Sequence, residues 1–323
     1  MNLIKNLQDK YIIICGGKGG TGKTTTAAAI ALELAKNRRV IVISTDPAHS
    51  LSDAFGVEIG PNIKTIEIKG TKLDALEFNP QSIMSASFEK LEEKFPLMSD
   101  EFSLETLSLM MDTAMLPVEY VEGAVFIVLL DKINKLGKYD TIVFDTAPTG
   151  HTLKLLKLPE LMSSFLMKIM RFQMKIASFF SKLKSLFGFE SYDIYGETLK
   201  MLDQLRRIIE ENRKLLTDKK RTEFVIVCIP TILSLYETIR LSTELETLGV
   251  PNNTIIVNMV RITSSKETCS FCKNLSKLHF KVLEEIKRTF PDKSIYIVPF
   301  LDYEPRAGKL FHFTEFLKIS NQG

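Results

Sequence analysis

Short apolar runs recur along the chain, each closed by glycine, proline or a polar residue: Tyr11 to Cys15, Val40 to Ser44, Thr141 to Asp145, Phe224 to Ile229, Thr254 to Asn258 and Ser294 to Pro299. Runs of this length without apolar–polar alternation predict strands buried on both faces, as in a parallel sheet. Helix-favouring stretches separate them, among them the alanine-rich Gly22 to Lys36. The alternation predicts an α/β fold, a doubly wound and mostly parallel sheet. Two stretches break the plan, Pro80 to Pro117 and Leu153 to Thr217; both have a helical pattern and carry much of the methionine. The reading is one domain made of residues 1–79, 118–152 and 218–323, interrupted by an inserted α-helical subdomain of residues 80–117 and 153–217.

Composition narrows the setting. With 323 residues and a net charge of only +3, the chain has no general electrostatic pull toward nucleic acid, and none is expected as a partner. The polar start, Met1 to Lys10, lacks a signal-peptide core, and the longest uncharged apolar stretch, Gly123 to Leu130, is too short to cross a bilayer. A cytoplasmic protein is expected, one that meets membranes through a surface or a partner. The 4 cysteines do not make a secreted disulfide framework. Cys15 and Cys228 fall in strands and are expected to be inert core.

The first strand runs into Gly17-Lys18-Gly19-Gly20-Thr21-Gly22-Lys23-Thr24 and then a helix. Strand, loop and helix in that order are the context a P-loop requires. Glycines let backbone N–H groups converge on phosphate oxygens, and the helix N-terminus adds partial positive charge. Lys23 is expected to reach the β- and γ-phosphates of ATP, and Thr24 to ligate Mg²⁺. Thr25 adjoins them. Asp145, at a strand end, is the expected second acidic group of the magnesium shell. Lys18 marks the deviant class of P-loops, in which this lysine reaches the phosphates of a dimer partner and acts as an arginine finger does.

Two further strings follow strands: Asp46-Pro47-Ala48-His49-Ser50-Leu51-Ser52-Asp53-Ala54-Phe55 and Asp145-Thr146-Ala147-Pro148-Thr149-Gly150-His151-Thr152-Leu153. With the Lys18 loop they resemble the arsenite-pump ATPase superfamily and, within it, the archaeal form of the tail-anchored-protein targeting ATPases. The likeness covers essentially the whole chain. It extends to Leu233-Ser234-Leu235-Tyr236-Glu237-Thr238, to Asn258, and to Val298-Pro299-Phe300-Leu301 followed by Arg306. It implies ATP hydrolysis by a homodimer, with Asp46 orienting the attacking water and Asp145 sensing the γ-phosphate through Mg²⁺. It also implies that Asn258, Pro299 and Leu301 hold the adenine. His49 reads as a satisfied loop histidine. Leu116 to Glu122, Thr231, Ile239 and Ser50 depart from the family pattern, so the identity of a membrane receptor does not carry over.

Cys269-Ser270-Phe271-Cys272 has metal-ligand spacing but supplies two thiolates where structural zinc wants four. A two-fold dimer makes a Cys₄ zinc site on its axis, which the resemblance also implies. A redox pair is the alternative, although the strand–helix context it needs is missing. The segment Leu158 to Phe189 is more apolar than one helix face needs. Three readings stand for it: core between helices, a groove shielding a client's transmembrane helix, or a membrane-surface helix with a basic rim. The resemblance implies the groove, with Met162, Phe165, Leu166, Met167, Met170 and Met174 on one wall and Met110 and Met111 on the other. The competing function is an arsenite-stimulated ATPase energising an anion efflux pump.

Overall fold

The computed structural model describes residues 2–45, 50–78, 118–145, 207–263 and 268–318. Asp46, His49 and the groove residues Met110, Met111, Met162, Phe165, Leu166, Met167, Met170 and Met174 lie outside the described residues.

Eight strands form one sheet: β1 (Ile12–Gly16), β2 (Val40–Ser44), β3 (Lys64–Ile68), β4 (Thr71–Glu77), β5 (Thr141–Asp145), β6 (Thr222–Cys228), β7 (Thr254–Val260) and β8 (Ser294–Pro299). Their order is β3-β4-β2-β5-β1-β6-β7-β8, and every pairing is parallel except β3 with β4. The expected α/β class and mostly parallel sheet are thus what the chain forms.

Strands β1, β2 and β5 are buried at every position because both faces are covered. Alternate residues serve opposite layers. Ile12, Ile14, Ile142 and Phe144 pack with Phe126, Leu130, Leu216 and Leu245, which belong to helices on one face. Ile13, Cys15, Val143 and Val227 pack with Ala28, Ile30, Leu34, Phe313 and Leu317 on the other. The helical turns at 207–217 contribute Ile209, Leu215 and Leu216 to the first layer, so this end of the second inserted stretch rests on the sheet.

The β3–β4 hairpin has no counterpart among the expected strands. In β3 only Ile66 and Ile68 are buried, so it shows none of the continuous apolar signal used for the others. Its turn is Lys69-Gly70, both at positive φ (47° and 80°), the geometry whose twist matches a two-residue hairpin.

The hairpin is pinned to the turn before β5 by Asp74, which is almost fully buried. Its carboxylate accepts hydrogen bonds from Lys138 Nζ at 2.6 Å, Tyr139 Oη at 2.8 Å and Thr65 Oγ1 at 2.5 Å. Burial alone would raise its pKa, but the hydrogen bonds from Lys138, Thr65 and Tyr139 outweigh it and hold the carboxyl below the ordinary value. A depressed folded pKa stabilises the protein above the unfolded carboxyl's pKa of about 3.9 and loses that contribution as pH falls through the folded value. Asp74→Asn is expected to cost about 1–2 kcal/mol at neutral pH, discounted because Lys138 is half exposed. Denaturant melts from pH 7 down to pH 3 check this, and the gap to wild type should narrow toward the acid end.

Candidate functional site

The site lies at the carboxyl ends of the parallel strands, where ligands of such sheets bind. Strand β1 ends at Gly16, and the loop that follows turns sharply into the helix Lys23–Leu34. Gly17 sits at φ +148°, and a Cβ there would lie 2.1 Å from the carbonyl oxygen of Val227 in β6. Only glycine lets the loop pass this close to the neighbouring strand. Gly22 caps the helix at φ +89° and offers no side chain to its first N–H groups, which leaves that end suited to an anion.

Side chains converge under the loop. Lys23 is buried, with Nζ 3.3 Å from the carbonyl oxygen of Lys18, so its ammonium lies within the loop's own span. Thr21 Oγ1 donates to the same carbonyl at 2.9 Å. Thr24 Oγ1 donates to Asp145 Oδ2 at 2.8 Å, and Ser44 Oγ, at the end of β2, donates to that oxygen at 3.1 Å. A hydroxyl and a carboxylate held together at strand ends are the hard oxygen donors that Mg²⁺ prefers, so Thr24 and Asp145 fit the cation. Ser44 was not among the expected site residues. Its signal is a lone hydroxyl closing four apolar positions, which turns are equally apt to show.

Asn258 is brought to the loop by an irregularity. The pairing of β7 with β8 shifts register between Val257 and Val260, and Met259 adopts φ +59°. Such a bulge re-aims a side chain. Buried Asn258 donates from Nδ2 to the Thr21 carbonyl at 2.9 Å, and its Oδ1 accepts from Met259 N–H at 2.9 Å. It therefore supports the loop, with one amide hydrogen and one lone pair remaining for a base. Pro299 ends β8 and Leu301 lies just beyond it, both half buried. Lys18, Gly19 and Gly20 are exposed.

The chain's residues 10–318 match the family model described as anion-transporting ATPase. The chain belongs to the anion-transporting ATPase family. It is similar to the ATPase GET3 of Malassezia globosa, 34% identical over 94% of this chain and 90% of that protein. The get3 ATPase of Sclerotinia sclerotiorum is also 34% identical, over 94% of this chain and 88% of its own length. The ATPase ASNA1 homolog 1 of Paramecium tetraurelia is 33% identical over 95% of this chain and 91% of its own. The chain is therefore an ATPase.

The cysteines divide as expected. Burial, with Asp145 nearby, pushes the Cys15 thiol far up, and burial takes that of Cys228 to about 12, so both stay protonated. Cys269 is exposed and caps the helix Ser270–Thr289, its Sγ accepting the Cys272 N–H at 3.4 Å. Arg261 donates to Cys272 Sγ at 3.3 Å. Among the described residues no cluster of three or more histidines, cysteines and carboxylates forms, and one chain's pair supplies two thiolates where structural zinc takes four ligands. No described helix is long and apolar enough to cross a membrane.

Apolar side chains crowd the same edge of the sheet. Leu233 and Tyr236 follow β6, Met259 and Ile262 close β7, Phe271 opens the next helix and Phe300 follows β8, all exposed and Phe271 by 70%. Gly17→Ala is expected to destabilise by about 2 kcal/mol or more and to abolish ATP binding, because the obstructing atom is backbone and cannot rotate away. Binding of a fluorescent ATP analogue together with the thermal midpoint checks it. A Gly60→Ala control, outside the loop and with nothing within 4 Å of an added Cβ, should retain both.

Proposed function

We propose that this ATPase is a targeting chaperone: its homodimer shields the transmembrane helix of tail-anchored membrane proteins and delivers them to a membrane receptor. The observation that carries the proposal is the match over nearly the full length to GET3 and ASNA1 ATPases, on a chain whose stretch from Leu158 to Phe189 is rich in methionine and phenylalanine. A client helix of about 20 apolar residues, at ~1.5–3 kcal/mol for each large side chain, is not tolerated in water. One chain's insert is too small to cover it, and two make a composite groove from Met162, Phe165, Leu166, Met167, Met170, Met174, Met110 and Met111. In this reading 80–117 and 153–217 form the helical client-binding subdomain, with 207–217 as its junction to the ATPase domain.

The dimer reading draws support from the exposed apolar edge around Leu233, Tyr236 and Phe271, with Lys18 exposed on the same edge of the sheet. The partner's Lys18 completes each site in trans, Asp46 orients water, and Asn258, Pro299 and Leu301 hold the base. Zn²⁺ joins Cys269 and Cys272 of the two copies on the axis. ATP closes the dimer and builds the groove, and hydrolysis takes it apart. An arsenite pump is less well matched, since two of the four cysteines are buried and protonated.

Co-expression with a protein bearing one C-terminal transmembrane helix should give a stoichiometric complex, lost when that helix is made polar. No complex with wild type or with the hydrolysis-blocked Asp46→Asn variant would overturn the chaperone reading and leave the ATPase. The trans role has a separate check. Lys18→Met and Asp46→Asn should each be nearly inactive, by about 10³-fold for the lysine. Mixed and re-equilibrated, they should recover roughly a quarter of wild-type hydrolysis, because half the dimers then hold one complete site. No recovery on mixing would place Lys18 in cis.

A further inference from the structure

The helix Ser50–Phe55 is only 6 residues long and begins four residues after Asp46 in the sequence. A helix of that length does not stand on its own hydrogen bonds. It is held at both ends by charged side chains from distant parts of the chain. At its N-terminal end lies Glu77, the last residue of β4, almost fully buried. Glu77 Oε1 accepts the N–H of Leu51 at 2.7 Å and of Ser52 at 3.0 Å, and Oε2 accepts the Ser52 hydroxyl. That hydroxyl in turn accepts the N–H of Ile59 at 2.9 Å, which closes the following turn. At the C-terminal end Arg306 Nε donates to the carbonyl of Asp53 at 2.8 Å, and its guanidinium lies 3.9 Å from the Asp53 carboxylate.

The signs suit the helix. A carboxylate sits where the orphan N–H groups and the positive end of the dipole lie, and a guanidinium sits at the carbonyl end. The anchors also connect the site. Glu77 pairs in register with Ser44, and Phe78 N–H donates to the Ser44 carbonyl at 2.8 Å. Ser44 bonds Asp145 and precedes Asp46 by two residues. Arg306 follows the segment with Pro299 and Leu301, so the far anchor is continuous with the residues assigned to the base.

We propose that Glu77 and Arg306 are positioning residues for ATP hydrolysis: together they clamp the helix Ser50–Phe55, which begins four residues after Asp46, and so constrain Asp46. This rests on the reading of Asp46 as the water-orienting group. The anchors' bonds run to the helix Ser50–Phe55, so the clamp acts chiefly on the rate of hydrolysis. Misplacing a reacting group by about 1 Å costs as much as 10²-fold in rate.

The test uses Glu77→Gln, Arg306→Ala and Arg306→Lys in the full chain. For each, kcat and KM for ATP, the Kd of a fluorescent ATP analogue, the thermal midpoint and amide exchange of the peptide spanning 46–55 are measured. Glu77→Gln is expected to lower kcat by about 10-fold with Kd within two-fold of wild type, and to speed exchange in that peptide alone. Arg306→Ala should act in the same direction by about 3- to 10-fold, and Arg306→Lys should recover part of the loss by restoring the cation at the carbonyl end. Wild-type kcat in both Glu77→Gln and Arg306→Ala would overturn the proposal. So would a loss that appears only in Kd or in the thermal midpoint. Failure of the underlying reading is distinguishable: if Asp46→Asn hydrolyses ATP normally, Asp46 is not the water-orienting group. Exchange in the 46–55 peptide still decides the clamp in that case, faster exchange in Glu77→Gln keeping it and unchanged exchange removing it.

Discussion

A carboxylate with no solvent exposure calls for hydrogen bonds, and Asp145 draws two elements onto its Oδ2. Thr24 comes from the first turn of the P-loop helix and Ser44 from the end of β2. Their meeting depends on sheet register: Asp145 stands opposite Ser44 on one side and Cys15 on the other. A slip of one residue in either pairing would send the carboxylate to the wrong face of the sheet. The first turn of the helix Lys23–Leu34 and the end of β2 are thus tied together by one buried group. The same contact suits the chemistry. Mg²⁺ asks for a hydroxyl and a carboxylate on one side of its shell, and the protein holds these two together by a hydrogen bond of their own.

The second constraint is the close approach of backbones. The loop after β1 grazes the Val227 carbonyl at Gly17 and meets Asn258 at Gly22. Glycine is required there by what the neighbouring strands present, and the bulge in β7 supplies one of those neighbours. The loop is therefore shaped from below by β6 and β7 as much as by its own sequence.

What was legible in the sequence follows from the range of the interactions. The P-loop is read from eight consecutive residues and their flanks, because its geometry is local. Strands β2, β5 and β8 match their expected limits because burial on both faces writes an unbroken apolar run. Strand β6 starts earlier than its apolar run suggests, at Thr222, because Thr222 and Glu223 are buried polar residues with distant partners. Thr222 Oγ1 donates to the Leu215 carbonyl, and Glu223 accepts from Asn253. The β3–β4 hairpin was missed for the opposite reason, a half-exposed edge strand with charges outward. Ser44 and Glu77 were not read from the sequence because each bonds a partner 26 to 101 positions away. No single sequence displays such a pairing.

The proposed dimer gives the exposed lysine of the loop a physical meaning. Lys23 is buried and held within its own loop by the Lys18 carbonyl. Lys18 is solvated, and a solvated cation contributes little to a transition state, since water screens it and its side chain is mobile. To act it has to be desolvated against a phosphate, and an apposed surface can provide that. If the apposed surface is a second copy, hydrolysis is conditional on assembly, and assembly is conditional on nucleotide at the shared face. A chaperone whose groove is composite needs this conditionality, since ATP spent by a lone chain would release nothing. Under this reading the exposed leucines and aromatics around the loop have a definite task. They bury apolar area when the copies meet and exclude water from the lysine at the same moment, so that closure and catalysis are one event.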